Sequence, residues 1–184
     1  MVNVPLDLLA INGADPAVFA AALGRLFEGA PGFLDRLARH RPFDDWPALF
    51  TQARAIAHSM PEIEQIALIN AHPRLGAPPE SVSDLSFREQ GYDLDAAARS
   101  AGQAVSERNR IAVELDRLNL AYEDRFGFRY CVHVAGRARS ELLPDMEASL
   151  NGAREVERHR ALDAVVDIAA DRLATLDRTN RETT

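Results

Sequence analysis

The sequence predicts an all-α fold, a single-domain helical bundle of about seven to nine helices with a long loop after His72. Apolar residues recur at steps of three and four along most of the chain. The one strand-like run is "FRYCVHVAG", and a single run of that kind cannot make a sheet. The only long break is "PRLGAPPESVSDLS", Pro73 to Ser86, rich in Pro, Gly and Ser and therefore read as a loop.

Each element has its own signal. "DPAVFAAALGRLFEG" begins with Asp15 as an N-cap and Pro16 at the first helical position, and it spaces Phe19, Leu23, Leu26 and Phe27 along one face. "GFLDRLARHRPF" is a short amphipathic segment ending before Pro42. "DWPALFTQARAIAHSM" carries Leu49, Ala53, Ile56 and Ala57 on a stripe. "PEIEQIALINAHP" opens with Pro61 and two acids, which suit a helix N-terminus, and sets Ile63, Ile66, Ala67 and Asn70 on one face. Beyond the loop, helical signals resume from Phe87; Ile111, Leu115, Leu118, Tyr122 and Phe126 form a stripe that Gly127 ends as a C-cap. "RSELLPDMEASLN" and "REVERHRALDAVVDIAADRLATL" close the chain as two more helices.

The composition narrows the function. A chain of 184 residues, 47% hydrophobic and 27% charged, suits one domain over residues 1–184 with its core at about 5–176. A net charge of −7 argues against nucleic acid as a partner, because phosphate backbones are bound through clustered Lys and Arg. No run approaches the ~20 apolar residues of a membrane span, the first residues lack a signal-peptide pattern, and "RETT" is not a peroxisomal address. Cys131 is the only cysteine, which excludes an internal disulfide and points to a reducing cytoplasm.

Three features could carry chemistry. The five histidines show neither HExxH nor Hx3-5H spacing, so no metal site is expected. Nucleotide-binding glycine loops and the G-x-S-x-G elbow are also missing. His72 differs from the other histidines because Pro73 pushes it out of helical geometry, past a helix end and at the mouth of the loop. A partly desolvated imidazole there could titrate near neutral pH, or simply cap the helix. In "SFREQG", Glu89 could orient His72 and Gln90 could bind a carbonyl or amide; equally, Ser86 and Glu89 could form a capping box. Arg172 falls at the edge of the last helix's apolar stripe, where a half-buried guanidinium could clamp a carboxylate, snorkel, or pair with Asp171 or Asp167.

Taken together and in order, "RPF" at Arg41, "HPRLG" at His72, "SFREQ" at Ser86, "LNLAYEDRFGFRY" at Leu118 and "DRL" at Asp171 go further. From about Pro5 to Leu176 the chain resembles the 2-oxo-4-hydroxy-4-carboxy-5-ureidoimidazoline (OHCU) decarboxylases, which form (S)-allantoin in urate degradation. The resemblance implies an all-α homodimer without metal or organic cofactor. It assigns His72 and Glu89 as catalytic residues and Arg172 as the family's arginine, here expected to orient the substrate. Ser86 and Gln90 match the substrate-contacting serine and glutamine, Pro73 the proline beside the histidine, and "FRYCVHV" a segment whose backbone lines the pocket. Where many members read "HPDLAG", Arg74 replaces the acid and the loop is shorter and richer in proline. A related ureido or hydantoin acid as substrate, or a non-catalytic helical interaction module, are the competing expectations.

Overall fold

A computed structural model describes residues 6–78, 82–83, 85–86, 90 and 105–182. Among these, eight α-helices and no strand are found: α1 (Leu8–Gly13), α2 (Pro16–Gly24), α3 (Pro31–Ala38), α4 (Trp46–Ser59), α5 (Glu62–Ala71), α6 (Val105–Phe126), α7 (Arg139–Ser149) and α8 (Arg154–Glu182). The helical signals over residues 87–104, Glu89 included and Gln90 apart, lie outside the described residues. No described helix is long and apolar enough to cross a membrane. The chain divides into two compact units, one comprising residues up to His72 together with those from Leu162, the other Pro73–Ala161.

In the first unit the expected stripes are inside. Phe19, Leu23, Leu26 and Phe27 are fully buried, and Phe27 packs on Phe33 with ring centroids 4.9 Å apart. Each such side chain contributes about 2 kcal/mol by leaving water. Helix α2 stops at Gly24, earlier than the periodicity suggests, and the chain continues through a turn that still buries Leu26 and Phe27. Asp45 caps α4, its side chain accepting from the Ala48 N–H at 2.7 Å, and Leu49, Ala53, Ile56 and Ala57 face the core. From α8, Leu162, Val165, Val166, Ala169, Leu173 and Leu176 are buried as the stripe requires.

Helix α5 departs from its expected register. Gln65, Leu68 and Ile69 face inward, whereas Ile63 is 79% exposed and Ala67 also faces out. Apolar residues surround most of this short helix, so periodicity alone does not choose a face. The choice is made by the preceding helix: Gln65 Nε2 donates to the carbonyls of Ala57 and His58 at 3.0 and 2.9 Å, in the last turn of α4. Carbonyls in the last turn of a helix call for donors from outside it, and a buried amide meets the need that an isoleucine could not.

In the second unit Leu115, Leu118, Tyr122 and Phe126 of α6 point inward, and Gly127, at φ +79°, ends the helix by donating to the Glu123 carbonyl at 2.8 Å. Tyr122 stands at the centre of an aromatic cluster, with centroid distances of 4.5 Å to Phe126, 5.8 Å to Phe128 and 5.1 Å to Tyr130. The run from Phe128 to Val134 is irregular and joins no ladder, yet it buries Phe128, Tyr130, Cys131 and Val134. Arginines serve in place of a neighbouring strand. Arg160 Nη1 donates to the Cys131 carbonyl at 3.0 Å, Arg137 Nη2 to that of His133 at 3.1 Å, and Arg137 Nε to that of Val134 at 3.2 Å.

Candidate active site

His72 is the C-cap of α5. Its backbone is extended, φ −76° and ψ 141°, as Pro73 dictates, and its N–H still closes on the Ile69 carbonyl at 3.2 Å. This position turns the imidazole inward, where it is 4% exposed. Burial, followed by the nearby Arg172 guanidinium, pushes its pKa down from 6.5 to about 4, against weaker opposing effects of Glu28 and the Leu68 backbone. The imidazole is therefore neutral at pH 7, and titrates below the near-neutral range expected of it at a loop mouth.

Arg172 was expected at the edge of the α8 stripe and half-buried. It is 1% exposed. Its Nη2 donates to Glu28 Oε1 at 2.7 Å, and its Nη1 to the carbonyls of Arg25 and Leu26 at 3.3 and 3.1 Å. Glu28, on the turn after α2, is thus a carboxylate partner of Arg172. Asp167 takes Arg54 Nη2 at 2.6 Å, beside Asp163, which takes Arg54 Nη1 at 2.6 Å and lies 2.8 Å from His58 Nε2. The first unit thus assembles His72, Arg172 and Glu28. Glu28 has no motif around it and escapes sequence reasoning; its one signal is an acid directly before Gly29 in a turn between two apolar helices.

The second unit holds Pro73, Ser86 and Gln90. Gln90 Oε1 accepts from the Gly76 N–H at 2.8 Å and its Nε2 donates to the Arg74 carbonyl at 3.2 Å, so the side chain buckles the segment that follows His72. Its own carbonyl accepts from Arg139 Nε at 3.1 Å. From α6, Asn119 Nδ2 donates to the Leu75 carbonyl at 2.9 Å, while Glu123 accepts from Arg74 Nε at 2.6 Å. Arg74, the residue that departs from the commoner family motif, is thus ion-paired at the surface. Gly76 is required here, since its φ of +81° is left-handed and an added Cβ would lie 2.9 Å from Leu115 Cδ1. Ser86 is buried and already helical. Ser83 Oγ accepts from the Ser86 N–H at 3.2 Å and donates to Ser86 Oγ at 3.1 Å. Glu89, expected to serve His72, lies outside the described residues.

A further network was not anticipated. Tyr122 donates its hydroxyl to Glu157 Oε2 at 2.9 Å, and Arg160 Nε donates to the same oxygen at 2.9 Å while its guanidinium covers the Tyr130 ring at 4.6 Å. Burial raises the Tyr122 pKa well above its ordinary value, so it stays protonated and can donate. Glu157 and Arg160 stand at i, i+3 on α8, and Arg160 Nη1 reaches on to the Cys131 carbonyl. Among the described residues, no group of three or more His, Cys, Asp or Glu could hold a metal ion.

Comparison with known proteins gives the family. The sequence model described as OHCU decarboxylase matches residues 12–174. The chain belongs to the OHCU decarboxylase family. It is 32% identical over 166 residues to the uric acid degradation bifunctional protein PucL of Bacillus subtilis, covering 90% of this chain and 32% of that protein. It therefore spans about a third of the length of such bifunctional relatives. It is 28% identical over 169 residues to the 2-oxo-4-hydroxy-4-carboxy-5-ureidoimidazoline decarboxylase of Haloferax volcanii, covering 92% of this chain and 95% of that one. Among solved structures, the fold is shared with an OHCU decarboxylase crystallised in the presence of (S)-allantoin, with TM-score 0.61, 21% identity, and 89% and 98% of the two chains covered. It is shared also with an (S)-allantoin synthase, with TM-score 0.65, 19% identity, and 93% and 54% covered. The all-α class expected for an OHCU decarboxylase is the class observed.

Proposed function

We propose that this protein decarboxylates OHCU to (S)-allantoin and CO2, as one OHCU decarboxylase domain, and that His72 is a proton carrier in the reaction. The observation that carries this reading is a neutral, buried imidazole beside a buried arginine, in a chain matched by the OHCU decarboxylase model over residues 12–174. The substrate supplies its own electron sink. When the C–CO2 bond breaks, its electron pair forms a double bond to the neighbouring carbon, and the imine π pair moves to nitrogen, which takes a proton. The resulting enol then loses its hydroxyl proton while the neighbouring carbon gains one. A neutral His72 can accept the hydroxyl proton, and the same imidazolium can return a proton to carbon on one face. The bound carboxylate would offset the Arg172 charge and so favour the imidazolium when it is needed. Glu89 is the second proton-carrying group, Arg172 orients the substrate, and Pro73, Ser86 and Gln90 shape its pocket.

The chain's acidic charge supports the reading that nucleic acid is no partner, and its single cysteine fits a reducing cytoplasm. On this reading it acts as a homodimer away from membranes, with no organic cofactor. The test is circular dichroism of allantoin formed from freshly generated OHCU. The expected result is an (S)-allantoin signal that rises faster than the spontaneous reaction and that His72→Gln abolishes. Folded protein that leaves the spontaneous rate unchanged would overturn the reading and direct the search to other ureido acids.

A further inference from the structure

A guanidinium cannot shed its proton, so Arg172, at 1% exposure, carries a full charge that must be compensated in place. The compensation comes from an unusual piece of backbone. Glu28 and Gly29, in the turn between α2 and α3, are both left-handed, with φ +49° and +72°. Glycine adopts such a φ freely, whereas glutamate does so under strain, because its Cβ crowds the following carbonyl. The strained conformation aims the Glu28 carboxylate inward, its side chain 18% exposed, to meet Arg172 Nη2 at 2.7 Å. The same turn supplies the carbonyls of Arg25 and Leu26 to Nη1. One short turn therefore fixes the plane of the guanidinium and tempers its charge, next to the imidazole of His72.

Tempering the charge matters for decarboxylation in particular. A bare cation facing the leaving carboxylate binds the ground state more tightly than a transition state from which CO2 is departing, and so slows the step. We propose that Glu28 is a positioning residue of the reaction: it holds the Arg172 guanidinium and partly offsets its charge, so that the arginine orients the substrate carboxylate without retaining it. The assignment rests on the decarboxylase reading above. Glu28 also favours the protonated form of His72, which Arg172 disfavours, so its loss would hinder the proton return as well.

Three full-length proteins test this: the wild type, Glu28→Gln and Glu28→Gly, each assayed for kcat and KM by (S)-allantoin formation and for thermal midpoint. Glu28→Gln keeps the shape and removes the charge; Glu28→Gly also relieves the left-handed strain. The expected result is a fall in kcat of about tenfold or more in both variants, with KM unchanged or lowered in Glu28→Gln. Both variants should unfold below the wild type, with Glu28→Gly, relieved of the left-handed strain, no lower than Glu28→Gln. A KM that rises as kcat falls, a kcat within about twofold of wild type, or failure of both variants to fold would make the pair merely structural and overturn the proposal. A wild type that leaves OHCU decay unaccelerated would overturn the decarboxylase reading itself, and this appears before any variant is compared.

Discussion

Replacing His72 by asparagine removes a buried imidazole whose proton affinity differs sharply between folded and unfolded chains, and acidification should expose the difference. In the unfolded chain the imidazole titrates at its ordinary 6.5; in the folded protein burial and Arg172 hold it at about 4. Below pH 6.5 the unfolded chain therefore binds a proton that the folded chain refuses. Stability is unaffected by this group above pH 6.5, and it falls progressively as the pH drops from there toward 4. At pH 5 the linked loss is about 2 kcal/mol, equivalent to roughly 4–8 °C in melting temperature for a chain of this size. Urea unfolding of wild type and His72→Asn at pH 7 and pH 5 measures it. Subtracting one protein's acid-induced loss from the other's cancels the carboxylates common to both, including Asp163, which His58 and Arg54 hold below the usual range. The wild type should lose about 2 kcal/mol more than the variant. Equal losses, or a larger loss in the variant, would mean that the imidazole takes up its proton readily in the folded state and that the neutral-base role is wrong.

Two further perturbations address the segment after His72. Gly76→Ala should destabilise by about 1–2 kcal/mol, because a left-handed φ of +81° must carry a Cβ that meets Leu115 Cδ1 at 2.9 Å; chemical denaturation measures the loss, and KM should rise as Pro73 shifts. Gln90→Met keeps the volume while abandoning the Gly76 N–H and the Arg74 carbonyl, and should cost about 1–3 kcal/mol in the same assay. Unchanged stability in Gln90→Met would show that its side chain does not buckle this segment.

The helical class and most of the core follow from the order of residues alone. The stripes of α4, α6 and α8 needed only the 3.6-residue period, and the extended backbone of His72 needed only the following proline. The family was legible because several short motifs recur in order, none of which would suffice singly. Periodicity did not find the buried face of α5, since isoleucines lie around that helix and the decision rests with the carbonyls at the end of α4 that Gln65 reaches. Nor could it place Glu28. Residues 28 and 172 are remote in sequence, and a charge pair at such separation leaves no periodic trace; only the folded turn, with its left-handed glutamate, brings the carboxylate to the guanidinium. The protonation state of His72 was likewise a tertiary matter, because an imidazole's affinity for a proton depends on the water it loses and the charges it gains, and both are fixed only when the chain closes around it.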